Sequence, residues 1–493
     1  MNNRVKIEQL PTGVAGLDEV LGGGLPEFSF NLIAGGPGCG KTTLAHQMMF
    51  AMATTERPAL YITILGEPPI KMLRYQQQYS FFDHARVPSH IRFLHLGGEL
   101  LDSGLESVLA SIIKEVEGMN PGYVFVDSFR SLARKSQEHG QMDMHSFVQR
   151  LALHLTSWEA TTFLIGEYEE SEADSNPIFT VADGVCWLTQ AVSRNSVVRK
   201  LQVVKLRGQE QVPGLHTLKI SADGLRVYPR IPTTAPAKPR NTERNLRRKT
   251  GVAGLDEMMG GGIPAGYSVL VAGPSGSGKT VLATQFIREG IANGEKGVIA
   301  VFEKRPDEYL KSMSGEPSLR ELENQGSLEM LHLRPLDLSV DEAMEEVSLA
   351  VKRMGATRVV IDSLMGFELA LAPSFREDFR ESLYRMVGAL IDLGVTVLLT
   401  AELTDSFTKF RLSPKGISFL TDAIVLQRYL ELDGRIEKVM AVPKMRGFDH
   451  SNQIRLYSIN HSGIVVGHSL DNYQGVLTGH ALRLPLGEGE ATR

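Results

Sequence analysis

Gly35-Gly36-Pro37-Gly38-Cys39-Gly40-Lys41-Thr42 decides how this chain is read, because the same logic returns at Gly273-Pro274-Ser275-Gly276-Ser277-Gly278-Lys279-Thr280. Both stretches fit a phosphate-binding loop. Glycines let successive N–H groups turn inward to an anion, the helix start that follows adds partial positive charge, Lys reaches the outer phosphates and Thr holds magnesium. Each copy follows an apolar strand-like run, Leu32-Ile33-Ala34 or Val269-Leu270-Val271-Ala272, and opens a helical pattern, which is the setting such a loop needs. Two nucleoside triphosphate sites are therefore expected. The first would use Gly36, Gly38, Cys39, Gly40, Lys41, Thr42 and Thr43, the second Ser275, Gly276, Ser277, Gly278, Lys279, Thr280 and Val281, with Lys41 and Lys279 as the catalytic cations.

The repeat extends well beyond the loops. Thr12-Gly13-Val14-Ala15-Gly16-Leu17-Asp18-Glu19 recurs letter for letter at Thr250 to Glu257, 238 residues on, and Gly22-Gly23-Gly24 recurs at Gly260-Gly261-Gly262. Asp127 and Asp362 lie 235 apart, and Lys205-Leu206-Arg207-Gly208 is answered 239 residues later by Lys444-Met445-Arg446-Gly447. The chain is read as a tandem duplication of one α/β domain. Within each copy, short β-branched runs alternate with helical patterns, which predicts βαβ units and a mainly parallel sheet. Strands are expected near Phe30–Ala34, Leu60–Ile64, Ile91–Leu96, Tyr123–Asp127 and Thr162–Ile165, and near Val269–Ala272, Val298–Phe302, Leu328–Leu333, Val359–Asp362 and Val395–Leu399. Helices are expected at Leu105–Glu117, Val340–Met354 and Asp378–Leu393, and antiparallel edge hairpins around Leu201–Lys205 and Lys438–Lys444. The boundaries drawn from composition are 1–228 for the first domain, 229–249 for an extended proline-bearing linker, 250–466 for the second domain and 467–493 for a polar tail.

Composition narrows the class. At 493 residues, 42% apolar and 22% charged, the chain can build two sizeable cores, and a net charge of -5 argues against a general nucleic-acid binder. Two cysteines, Cys39 and Cys186, cannot form a disulfide framework. Met1 to Lys6 carries no apolar signal core, and no run of about 18 apolar residues occurs. A cytoplasmic protein without membrane spans is expected.

Phosphoryl transfer also needs a magnesium shell, a group that orients the nucleophile and added positive charge. Asp127 and Asp362 close apolar strands and precede Ser, the place for a carboxylate that binds magnesium with Thr42 or Thr280. A helix N-cap is the plainer reading of such an Asp. Glu303, after Val301-Phe302, stands where the ligands of a parallel sheet gather and is the candidate general base, with a possible share in the metal site. The first copy has Leu65 at that place relative to its proline, and Glu67 two residues on is either a displaced substitute or an exposed turn carboxylate. The first site is expected to bind nucleotide and hydrolyse it slowly or not at all. Lys205 with Arg207, and Lys444 with Arg446, put two cations on one strand face, suited either to a phosphate or to surface ion pairs.

Taken together, the duplicated opening, the loops, Asp-Ser, the Lys-X-Arg-Gly segments and Gly475-Val476-Leu477-Thr478-Gly479 resemble the KaiC family of RecA-superfamily ATPases, circadian-clock and clock-like proteins. The resemblance covers nearly the whole chain. It implies tandem RecA-like domains, ATP with Mg2+, and a two-tiered homohexamer with ATP between subunits. Lys205, Leu206 and Arg207, and Lys444, Met445 and Arg446, would then reach a neighbour's nucleotide. It also implies autophosphorylation in the second domain. There Ser418 of Gly416-Ile417-Ser418-Phe419-Leu420-Thr421-Asp422 is the retained acceptor, while Phe419 replaces the usual Thr. A paired glutamate of the family is Glu303-Lys304 here and is broken at Leu65-Gly66 in the first copy. A regulatory clock-type partner would dock on the tail after Tyr473. Two other readings stay open: a nucleotide-switched scaffold without kinase activity, and a RecA-type DNA-dependent ATPase, which should show basic, glycine-rich DNA loops not evident here.

Overall fold

The computed structural model describes residues 7–64, 69–97, 99–130, 144–173, 176–193, 196–230, 246–303, 305, 307–309, 317–333, 338–376, 379–403, 419–432, 434–475 and 482–483. Glu67, Ser418, most of the 229–249 linker and most of the tail lie outside the described residues. The chain forms two compact units, Met1–Arg230 and Ile231–Arg493.

In the first unit the strands are β1 (Phe30–Gly35), β2 (Ala59–Thr63), β3 (Ile91–His95), β4 (Tyr123–Asp127), β5 (Thr161–Glu167), β6 (Gly184–Ser193), β7 (Ser196–Leu206), β8 (His216–Ser221) and β9 (Gly224–Tyr228). They form one sheet in the order β3-β2-β4-β5-β1-β6-β7-β8-β9. From β3 to β6 every pairing is parallel, and from β6 to β9 every pairing is antiparallel. The second unit repeats this with β10 (Ser268–Gly273), β11 (Gly297–Val301), β12 (Leu328–His332), β13 (Arg358–Asp362), β14 (Thr396–Glu402), β15 (Ala423–Leu432), β16 (Arg435–Met445), β17 (Arg455–Asn460) and β18 (Gly463–Ser469). Its order is β12-β11-β13-β14-β10-β15-β16-β17-β18. Tandem RecA-like α/β domains are the result. The edge stretches read from the sequence as hairpin arms are the C-terminal parts of 11-residue strands, Ser196–Leu206 and Arg435–Met445, and β18 runs across residue 466.

Burial explains the parallel part. All six residues of β1 and all six of β10 are buried, as expected of strands covered on both faces. Alternation divides β10 between two cores: Leu270 and Ala272 join one, Val269 and Val271 the other. The helices that cover it follow local rules. Val340–Met354 forms as expected, with a Ser339–Glu342 capping box, Gly355 in the left-handed region at its end, and Val340, Ala343, Met344, Val347 and Val351 buried along one stripe. The helix around Leu105 restarts after a break at Gly104 (φ 76°) inside Glu99–Met119.

The units differ in how they bury charge. In the second, Arg358 is almost fully buried, pairs with Glu295 at 2.9 Å, donates 2.7 Å bonds to the carbonyls of Lys249 and Phe286, and lies over the Phe286 ring. Arg248 joins the same carboxylate. In the first, Tyr123 takes the Arg358 position, and Arg57, 33% exposed, pairs with Glu27 at 2.6 Å. Breaking a buried pair strands a charge, whereas a half-buried pair that water still reaches loses less. We expect Arg358→Ala to destabilise the second unit by about 3–5 kcal/mol. Arg57→Ala, which removes a half-buried pair and a cation over the Tyr123 ring, should cost the first less, about 1–2 kcal/mol. Denaturant unfolding of the two variants checks both.

Candidate nucleotide sites

In each unit the loop leaves the central strand, β1 or β10, at its C-terminal end, between strands that arrive in different order on either side, where open α/β sheets bind ligands. The helices Lys41–Met52 and Lys279–Ala292 start immediately after Gly40 (φ 104°) and Gly278 (φ 100°). A side chain there would need a left-handed backbone and would also strike Ile220 or Ile459 at 2.7 or 2.5 Å, so only glycine fits. Around the first loop lies a cleft of about 520 Å³, lined among others by Lys41, Thr42, Thr43, Asp127, Glu167 and Arg199. That volume suits a nucleotide.

The loop lysines fold onto their own loop: Lys41 Nζ donates to Gly36 O at 2.6 Å, and Lys279 Nζ to Gly273 O and Pro274 O at 2.9 and 2.7 Å. Burial pulls Lys279 below the usual lysine range, against the opposing pull of Glu402, Asp362 and Glu303. The buried Cys39 thiol donates to Gly36 O at 2.9 Å and Ser277 Oγ to Gln427 Oε1 at 3.0 Å, so neither side chain offers itself to a ligand. Val281 packs partly buried against the core.

Asp127 reaches the loop directly, with Thr42 Oγ1 donating to its Oδ2 at 3.0 Å and Tyr61 OH to the same oxygen at 2.8 Å. Burial raises its pKa, and those two hydroxyls work against the rise. Asp362 receives Tyr309 OH at 3.1 Å on Oδ2 and Thr400 Oγ1 on Oδ1. In the first unit the Thr42 hydroxyl beside the Asp127 carboxylate makes an all-oxygen set that fits magnesium, which takes one or two protein ligands and fills its shell with water and phosphate oxygens. Among the described residues no cluster of three His, Cys, Asp or Glu stands together.

Glu303 stands two residues past β11, exposed, with Ser363 Oγ donating to its Oε1 at 2.7 Å. A Cβ on Gly366 would lie 2.6 Å from Glu303 Cγ, so that glycine makes room for the carboxylate. The Lys-X-Arg cations face elsewhere within their own chain. Lys205 donates to Phe179 O and Thr180 O, Arg207 pairs with Asp183 at 3.0 Å, Lys444 donates to Thr421 O, and Arg446 donates to Phe419 O and lies 3.7 Å from Asp422. Burial first, then the like charge of Arg207 or Arg446, lowers Lys205 and Lys444. Met445 is buried and Leu206 packs on the core, so the middle residues anchor these strands.

The sequence reading missed Tyr61, Tyr309, Thr400, Arg199, Glu167 and Glu402. The two glutamates end β5 and β14 and face the loop strands in register, Gly35 with Glu167 and Gly273 with Glu402. Their spacing of 235, the same as between Asp127 and Asp362, was a legible signal. The tyrosines gave none.

This fold and these sites define a tandem pair of phosphate-loop ATPase domains. The family model described as "ATPase: KaiC" matches residues 10–231 and 248–471, and the chain belongs to that family of ATP-binding ATPases. It is 28% identical to the circadian clock oscillator protein KaiC of Rippkaea orientalis, over 99% of this chain and 94% of that one. It is also 28% identical to KaiC 1 of Synechocystis (98% and 94%) and 26% identical to the circadian clock protein KaiC3 of the same organism (96% and 94%). No helix among the described residues is long and apolar enough to cross a membrane.

One buried group beneath the first loop makes a pH prediction. His46 is fully buried against Tyr61, and loss of water pushes its pKa down to about 3. The unfolded chain's histidine takes its proton near pH 6.5, so between about pH 6.5 and 3 the unfolded state binds more protons; stability is full above that window and falls as pH drops, by about 1.4 kcal/mol per unit. His46→Thr, the residue of the second copy at 284, should lose this slope. Calorimetric melting of the first unit from about pH 7.5 to about pH 5.5 checks it, wild type falling more steeply than the variant.

Proposed function

We propose that this protein is a two-tiered ATP-driven ring whose second domain hydrolyses ATP and phosphorylates its own Ser418, in signalling or circadian-type timing. The observation that carries this reading is Glu303, exposed at the C-terminal edge of the second sheet and aimed by Ser363, on the same edge as Lys279 and Asp362. In this reading Lys279 and the loop amides hold the phosphates. Thr280 and Asp362 hold Mg2+, which when bound neutralises phosphate charge, and Glu303 takes the proton from the attacking water or serine hydroxyl. The first domain, 1–228, holds ATP through Lys41, Thr42 and Asp127. Leu65 replaces its base and Glu67 contributes little, so its tier turns over slowly and stiffens the ring.

The ring is a homohexamer with nucleotide between subunits, reached by Lys205 and Arg207 or Lys444 and Arg446 of the neighbour. Residues 229–249 link the tiers, and the tail from 467 offers a regulatory clock-type partner its docking segment. The protein works in the cytoplasm, away from membrane and nucleic acid. Relatives named as circadian clock proteins support the timing role.

Intact-mass and phosphopeptide spectrometry after incubation with magnesium-ATP tests the reading. Phosphate on Ser418 is expected in wild type and absent in Ser418→Ala and Glu303→Gln, the latter also losing second-site hydrolysis by about 10²–10⁴-fold. ATP hydrolysis without phosphate would replace the kinase with a nucleotide-switched scaffold.

A further inference from the structure

We propose that Tyr61 and Tyr309 are positioning residues that aim the metal-binding carboxylates of Asp127 and Asp362, recruited from different parts of the fold to the same contact; this rests on the reading of those aspartates as magnesium ligands. Tyr61 lies on β2, where register against β4 makes Ile299 of β11 its counterpart: Tyr61 faces Phe125 as Ile299 faces Val360. Ile299 is a plain core residue. Tyr309 instead comes from helical residues 307–309 beyond the end of β11, 248 residues after Tyr61 rather than the repeat's 238. The two rings are 0% and 1% exposed, and their hydroxyls end 2.8 and 3.1 Å from Oδ2 of the respective aspartates.

The beds beneath the rings differ too. Tyr61 stacks on His46, whereas the matching place in the second copy is Thr284, whose hydroxyl donates to Thr280 O at 2.9 Å. Packing alone asks only for a ring in these cores, and Phe would fill it. What both copies preserve, through unlike scaffolds, is a buried phenol donating to one oxygen of the carboxylate. A second hydroxyl completes each set: Thr42 on Asp127 and Thr400 on Asp362. A carboxylate has about four lone-pair positions, so two donors fix its plane and leave acceptors for metal-bound water. Groups that orient a ligand in this way tune affinity for the ion.

The test uses the full chain with Tyr61→Phe and Tyr309→Phe, singly and together. Fluorescent ATP bound per chain is measured against free Mg2+. Each single variant should move half of the bound nucleotide to a roughly tenfold higher Mg2+ midpoint, and the double variant all of it, with the same stoichiometry at saturating Mg2+. Thr400→Val, which removes the other donor on Asp362 and leaves Tyr309 in place, should move the second-site half likewise. Asp362→Asn gives the full loss at that site for comparison. Midpoints within about twofold of wild type in both Phe variants, beside a shifted Asp362→Asn, would overturn the proposal and leave the metal assignment standing. An unshifted Asp362→Asn would overturn both.

Discussion

One partly buried carboxylate per domain sets the terms for everything around it. A carboxylate removed from water costs several kcal/mol unless donors reach it. Asp127 and Asp362 end the strand next but one to the loop strand, their main chains fixed by parallel ladders on both sides. The all-buried runs of β1 and β10 hold those ladders flat against two cores. Hydroxyls then come to the carboxylate from whichever elements can supply them. The hydrophobic part of the sequence therefore decides where the charge sits, and a few polar side chains decide how it points.

Duplication separates what the fold demands from what each site does with it. Strand order, loop glycines and the Asp-Ser step persist, because changing them would disturb the sheet or the phosphate cradle. The position proposed to act on the nucleophile has diverged. Glu303 depends on the hydroxyl of Ser363 and on empty space above Gly366, and the first copy has Leu65 in its place and Ser131 where that glycine would fall at the 235-residue spacing.

Repetition made most of the fold legible. Strands and helices built from apolar runs were readable to within about three residues, and Val340–Met354 to the residue, since its capping box and glycine stop are local signals. The long β7 and β16 were under-read because their outer halves mix exposed polar and apolar residues, and only pairing with a neighbour makes them strands. In the sites, groups that share an offset were visible or could have been: the loops, the aspartates, and Glu167 with Glu402. Tyr61 and Tyr309 share neither offset nor local pattern, so nothing short of the folded chain brings them to one acceptor.

The Lys-X-Arg cations carry the last step. Within a single chain they bond main-chain carbonyls and Asp183 or Asp422, partners that compete with their proposed reach to a neighbour's phosphate. The competition is weak. Arg207 and Arg446 are 58% and 55% exposed, and ion pairs of that kind are worth about 0–1 kcal/mol. A triphosphate offers a charge-assisted, two-pronged acceptor that is stronger than either a carbonyl or a screened carboxylate. With two like charges already crowded on one strand face, an added anion offsets the repulsion that Arg207 or Arg446 exerts on the lysine. Leaving the pairs of the lone chain therefore costs little.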